Sequence, residues 1–271
     1  MTFRLSKNVG VCALMALVSL TMFSYANLSL TKVSRAAEPS ARLAKTGAYN
    51  PQDPSVDVFE GIAAGKVQVK MVVKDSTEAR LLVTNNTQQP LNLRLPAAFA
   101  GVHVLAQLGG GAGGATGGSQ GVGGGGAGGA GGGGAGFFNI APERVTEIKI
   151  PCVCLEHGKP DPRPQLTYEI RPIESVSVHP EVAEVIKLLG EGKLPQRVAQ
   201  AAAWHYNNNM SWEELAAKQI KRLSGESYPY FHPQEMQAAV AVGNMIEKQL
   251  KEGPIVEGQS LSKLGAKTEE K

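Results

Sequence analysis

Nineteen of the residues from Gly109 to Gly136 are glycine, and most of the rest are alanine. This tract constrains the fold more than any other feature. It offers almost no side chain whose burial could offset the entropy of ordering the backbone. It is therefore expected to be a flexible insertion, 109–136, between two strands, leaving the core to the flanking chain. A glycine-rich segment also invites a phosphate-binding reading. No G-K-[ST] follows it, however, and no strand-then-helix frame with a downstream acid surrounds it, so nucleotide binding is not expected.

The start of the chain reads as an export signal. Arg4 and Lys7 precede an uncharged apolar run, Val9 to Phe23, and Ser24-Tyr25-Ala26 places small residues where a peptidase would cut. A signal peptide at 1–26 is expected, with an uncleaved anchor as the competing reading, and the location is secreted or periplasmic. No span is expected after cleavage. Losing Arg4 and Lys7 from 27 basic residues leaves 25 against 24 acidic. A near-neutral mature chain does not suit a nucleic-acid binder, which carries a basic stripe. Cleavage also removes Cys12, so Cys152 and Cys154 remain, too few for a disulfide scaffold.

Residues 27–55 are polar and read as a flexible tether. From Val56 the period becomes two: Lys66–Met71, Ala79–Thr84 and Leu91–Leu95 are candidate strands, with turn chemistry at NNTQQP. Val102–Ala106, Arg144–Cys154 and Leu166–Ile170 supply more. Short strands without intervening helices predict an antiparallel β-sandwich-like module at 56–173. After Pro180 the period is helical. Glu181–Leu189 is expected to be one helix and the segment opened by Pro195 (PQRVAQAAAWHYNN) a second. A third starts at the capping box Ser211-x-x-Glu214 and runs through Leu215, Ile220 and Leu223 to Gly225. The fourth runs from His232 or Pro233 to about Leu250, turning Met236, Val240, Gly243 and Met245 toward a partner. The fold class is thus α+β: a sandwich followed by a small helical module at 180–251, then a disordered tail, 252–271.

Chemistry concentrates in IPCVCLEHGKPDP, Ile150–Pro162. On a strand Cys152 and Cys154 share a face, with Cα atoms about 6.6 Å apart at about 3.3 Å per residue. Such a disulfide would be strained and easily reduced. Cys152, Cys154 and His157 form a Cys-x-Cys-x-x-His metal set, one ligand short of structural zinc but sufficient for soft Cu(I). The bland alternative is two buried thiols followed by an exposed turn, with no resident cofactor. The alternating prolines of Lys159–Pro164 favour a stiff connector between strands over a docking ligand.

A covalent use of either cysteine is the remaining alternative. Gln200, Ala202 and Trp204 in VAQAAAW form a Gln-x-Ala-x-Trp pattern on a helix. It resembles the glutamine motif of bacterial surface thioester domains, in which a cysteine thiol and a glutamine side chain form an internal thioester that captures nucleophiles. Ala199 stands where that family usually has threonine. The resemblance implies a bond from Cys152 or Cys154 to Gln200. TNNTQQPLNLRLP, PCVCLEHGKPDP and AAAWHYNNNMSWEEL together resemble a family of uncharacterised secreted bacterial proteins abundant in planctomycetes, which implies no activity.

The histidines show no H-E-x-x-H spacing, and neither a G-x-S-x-G elbow nor a paired general acid and base appears. The expected function is non-enzymatic: an envelope-associated structural or interaction module whose partner is a protein or envelope component. The alternative is a cysteine-centred metal or thioester site.

Overall fold

The computed structural model describes residues 43–104, 118–125 and 136–253. The expected signal peptide, Cys12 and the tail beyond Gly253 lie outside the described residues. The chain has the mixed α+β content its patterning predicts.

Six strands close into a barrel in the order β2-β3-β8-β6-β5-β9. They are β2 (Val67–Val73), β3 (Glu78–Asn85), β5 (Ala98–His103), β6 (Gln120–Gly123), β8 (Val145–Cys154) and β9 (Tyr168–Pro172). The seam is narrow: β9 lies along β5 from His103↔Tyr168 to Phe99↔Pro172, and meets β2 at Met71↔Tyr168. Alternation sends Met71, Leu81, Val83, Phe99, Val122, Ile148, Ile150 and Cys152 into one core. A smaller sheet, β1 (Ser55–Asp57), β4 (Leu91–Arg94) and β7 (Phe137–Ile140), adds Leu91, Leu93, Phe138 and Ile140 to it. A short helix, α1 (Val58–Ala63), follows β1 and is capped by Asp57, which accepts from the Phe59 N–H. It falls where the pattern suggested strand.

The expected sandwich is therefore a barrel, and the glycine tract is the reason. Residues 118–125 are not a flexible insertion. They hold the stave β6, paired to β5 at Phe99↔Val122 and to β8 at Gln120↔Cys154. Without β6, β5 and β8 would be open edges. Its glycines permit close approach of the first long helix, α2 (Pro180–Gly190). A Cβ on Gly123 would lie 2.3 Å from the Gly190 Cα, and one on Gly121 would lie 2.5 Å from the Ile186 Cδ1. Stability here comes from removing side chains, which a count of burial-competent residues does not register.

Nor are residues 43–54 a tether. They lie along the barrel, with Ala44 N–H donating to Val145 O (2.8 Å) and Gly47 exchanging bonds with Asn139. The fully buried amide of Asn92 holds this segment through Asn50 O (2.6 Å) and Asp53 O (2.9 Å). Asn139 Nδ2 donates to Asp53 Oδ2 at 2.7 Å. These polar residues are structural partners, not linker.

The helical part adds α3 (Gln196–Asn208), α4 (Trp212–Ala217) and α5 (Pro233–Glu252). The Ser211/Glu214 capping box is present, but α4 stops at Ala217. Lys218 is extended (φ −63°, ψ 132°), and β10 (Gln219–Lys221) then pairs with β11 (Ser227–Pro229) in a hairpin turned near Gly225 (φ +88°). On α5 the buried stripe is Met236, Ala239, Gly243 and Ile246, whereas Met245 is exposed, because 3.6 residues per turn carries it off that face. Val153, Leu155 and Ala100 on the outer barrel face pack with Val185, Ile186, Val198, Trp204 and Phe231. The helices thus fill a second core against the outer face of the barrel, beside the one in its interior.

Candidate functional site

β8 outlasts its neighbour. Its ladder with β3 ends at Glu78↔Pro151, with one further bond from Cys152 N–H to Thr77 O. Beyond that the outer backbone edge of β8 would be buried and unpaired, a cost of about 1–3 kcal/mol per group. Helix α3 supplies the missing partners. Gln196 Nε2 donates to Cys152 O (3.2 Å), and Gln200 Oε1 accepts from Cys154 N–H (2.8 Å) while its Nε2 donates to Cys154 O (2.8 Å). Asn207 Nδ2 donates to Leu155 O (2.7 Å), and Asn208 Oδ1 accepts from His157 N–H (3.3 Å). Positions 196, 200 and 207 share one helix face and Asn208 adds its bond from the last turn, so α3 acts as a surrogate strand built from side-chain amides.

This arrangement assigns Gln200. The structure brings it against Cys154, as the thioester motif implies, but both ends of its amide engage the cysteine's backbone and neither engages the thiol. The thiols are free and buried. Cys152 Sγ sits 3.7 Å from Asp75 O, and Cys154 Sγ sits 3.4 Å from Glu156 O. Burial pushes the Cys152 thiol far above its ordinary value, with Asp75 and the neighbouring Cys154 adding to the effect. Burial raises Cys154 as well, against the opposing pull of the Glu156 backbone and Trp204. A thiol kept protonated is a poor nucleophile and a poor ligand. The indole Nε1 of Trp204 is buried without a well-aligned acceptor among the described residues, so the polarizable sulfur of Cys154 is its substitute.

His157 does not turn toward the cysteines. Its Nε2 lies 2.8 Å from Lys218 Nζ, and since an ammonium only donates, Nε2 is the acceptor and the ring is neutral. Burial lowers the His157 pKa, and the Lys218 charge lowers it further. The ring meets Trp204 edge-on, with centroids 4.8 Å apart. Among the described residues no group of three His, Cys, Asp or Glu side chains is placed to hold a metal. The expected set Cys152, Cys154, His157 does not converge, because Cys152 faces the barrel core while His157 belongs to the turn beyond the strand. Glu156 is fixed separately: burial opposes its charge, but Lys159 and the Ser119 N–H (2.7 Å) outweigh that and hold its pKa low.

Residues not singled out in the sequence complete the site. Lys218 Nζ stands 5.4 Å from the Trp204 ring centre and 5.3 Å from that of Tyr230. Arg197 stands 5.0 Å over Tyr230 and 5.4 Å over Phe231, and pairs with Glu235 at 3.0 Å. A helix read through to Gly225 hides Lys218, and the PYF word before α5 is the available signal for the aromatic wall. The arrangement pins the hairpin and two helices onto the end of β8. Burial holds both thiols there in the protonated form.

No family model, curated protein or solved structure matches this chain.

Proposed function

We propose that this chain is an exported, envelope-associated protein that works by binding a protein or envelope component and catalyses no reaction. The observation that carries this reading is the β10–β11 hairpin. It stands alone as a two-stranded sheet, its outer edges pair with no strand among the described residues, and β11 is exposed throughout. Leu223 near its turn is fully exposed, and Arg222 packs 4.9 Å over the exposed Tyr228 ring. Isolated hairpins are marginal in water. This one is held at its base by Tyr230 N–H to Lys218 O (2.8 Å) and by the Lys218–His157 bond. An anchored hairpin with open edges suits recognition by strand addition or by an apolar contact at its tip.

The test places a photo-crosslinking residue at Leu223 in the exported protein in intact cells. One discrete adduct, absent when the probe is placed at Lys149 on the barrel, supports the reading. Turnover of a substrate by the purified protein, abolished by changing Glu156 or His157, overturns it.

A thioester between Cys154 and Gln200 is the second reading, favoured by their contact alone. It predicts loss of one ammonia from the intact mass, and addition of one methylamine on treatment with that amine. A polypeptide mass with both thiols titratable after denaturation removes it.

A further inference from the structure

A cleft of about 290 Å³ opens between the start of α2 and the end of α3, lined by His179, Glu181, His205, Tyr206, Asn209 and Ser211 among others. None of these residues belongs to the site at the end of β8. The cleft lies at the small end of the size range for ligand pockets and suits a group of a few heavy atoms.

Its chemistry is set by acceptors. The Glu181 carboxylate has no ion-pair partner among the described residues. His205 Nδ1 lies 2.7 Å from Met210 O, and since a carbonyl only accepts, Nδ1 carries the proton and Nε2 is the ring's remaining nitrogen. The His205 ring is held by stacking on Trp212 (3.9 Å, 19°) and by the edge of Tyr206 (4.8 Å). Helix α3 ends here with Asn209 in the left-handed region (φ 53°), and no backbone N–H from that residue closes the last turn. Its terminal carbonyls are the negative end of the helix. Two more carboxylates lie close behind: Glu247 accepts from the Tyr206 hydroxyl (3.2 Å), and Glu214 accepts from Ser211 N–H (2.7 Å). The opposing features are the positive end of α2 and the His179 ring. The former is a partial charge already faced by the full charge of Glu181 in its first turn.

We propose that this cleft binds a primary ammonium, of the kind a lysyl side chain presents. An ammonium brings three N–H donors and a positive charge to a lining that carries the Glu181 carboxylate and the rings of His205 and Tyr206. An anion would meet Glu181 head-on, and a quaternary ammonium would leave the acceptors unused.

The experiment is an NMR titration of the mature chain with Nα-acetyl-lysine methylamide, following the His205 ring and the Tyr206 and Asn209 amides. Tetramethylammonium and inorganic phosphate are run in parallel. Saturable shifts with the lysyl probe, weakened about fivefold by Glu181→Gln, as expected for a solvent-accessible ion pair, support the proposal. An unchanged spectrum in the absence of probe establishes that the variant is folded. No saturable shift, equal binding of tetramethylammonium, tighter binding of phosphate, or an affinity indifferent to Glu181→Gln each overturns it.

Discussion

Replacing Gln200 with methionine keeps the side chain's length and nearly its volume while deleting both polar ends. The Cys154 N–H and C=O, each bonded to Gln200 at 2.8 Å, then stay buried without partners. An orphaned buried backbone group costs about 1–3 kcal/mol, so two give about 2–5 kcal/mol of destabilisation after allowance for a small gain from apolar burial. For a chain of this size that is a large share of a total stability of about 5–15 kcal/mol. The assay is urea unfolding followed by circular dichroism, with the slope checked for constancy so that the midpoint shift reports stability alone. Gln196→Met, which removes two longer bonds, to Cys152 O (3.2 Å) and Ser76 O (3.5 Å), from a half-buried residue, is expected to cost about 1 kcal/mol. Gln200→Glu sharpens the comparison. Its buried carboxyl would have a folded pKa raised above the unfolded value, so the variant is least stable above the carboxylate range. It regains stability as pH falls, when the protonated acid can again donate to Cys154 O. If Gln200→Met shifts the midpoint by less than the Gln196 control, the reasoning that α3 replaces a strand at this edge is wrong.

Four further outcomes follow from the same geometry. Cys152 and Cys154 should be silent to an aromatic disulfide reagent in the folded protein and both react after denaturation; rapid reaction of either native thiol contradicts their burial and raised pKa. The His157 pKa is depressed by folding, so the unfolded chain binds its proton more readily. Stability should be full above the unfolded value of about 6.5 and fall as pH drops below it, and His157→Gln should flatten that slope. Gly123→Ala should cost about 1–3 kcal/mol or more, because its Cβ would meet the Gly190 backbone at 2.3 Å and backbone cannot swing aside. Gly118→Ala, whose Cβ would find only ordinary contacts from 3.5 Å, should stay within about 0.5 kcal/mol in the same melts.

The candidate site is partly legible in the sequence. IPCVCLEHG stands out because it concentrates reactive side chains, and Gln200 because its motif resembles one that bonds to cysteine. Both readings point to the right neighbourhood, where the contacts observed run through backbone and a lysine and not through the thiols. A motif records which residues meet, and only coordinates say which atoms do. Here the amide meets backbone, and the imidazole meets a lysine that the helical pattern places mid-helix. Lys218 leaves the helix to reach His157, 61 positions away, and the ring of Trp204. A local capping signal carries no information about partners so distant.

Whatever depends on neighbours a few residues apart can be read from the chain. Period-two alternation sets β2, β3, β4 and β8 and which of their faces is apolar. Proline and capping boxes set the starts of α2, α3, α4 and α5. Contacts between distant segments settle the rest: that the sheet closes, that QGVG (Gln120–Gly123) inside the glycine tract is its sixth stave, and that the words QIK (Gln219–Lys221) and SYP (Ser227–Pro229) pair as a hairpin. β6 is the clearest case. Glycine has no side chain to advertise burial, and its value appears only when another backbone, that of Gly190, arrives to occupy the space a Cβ would have filled.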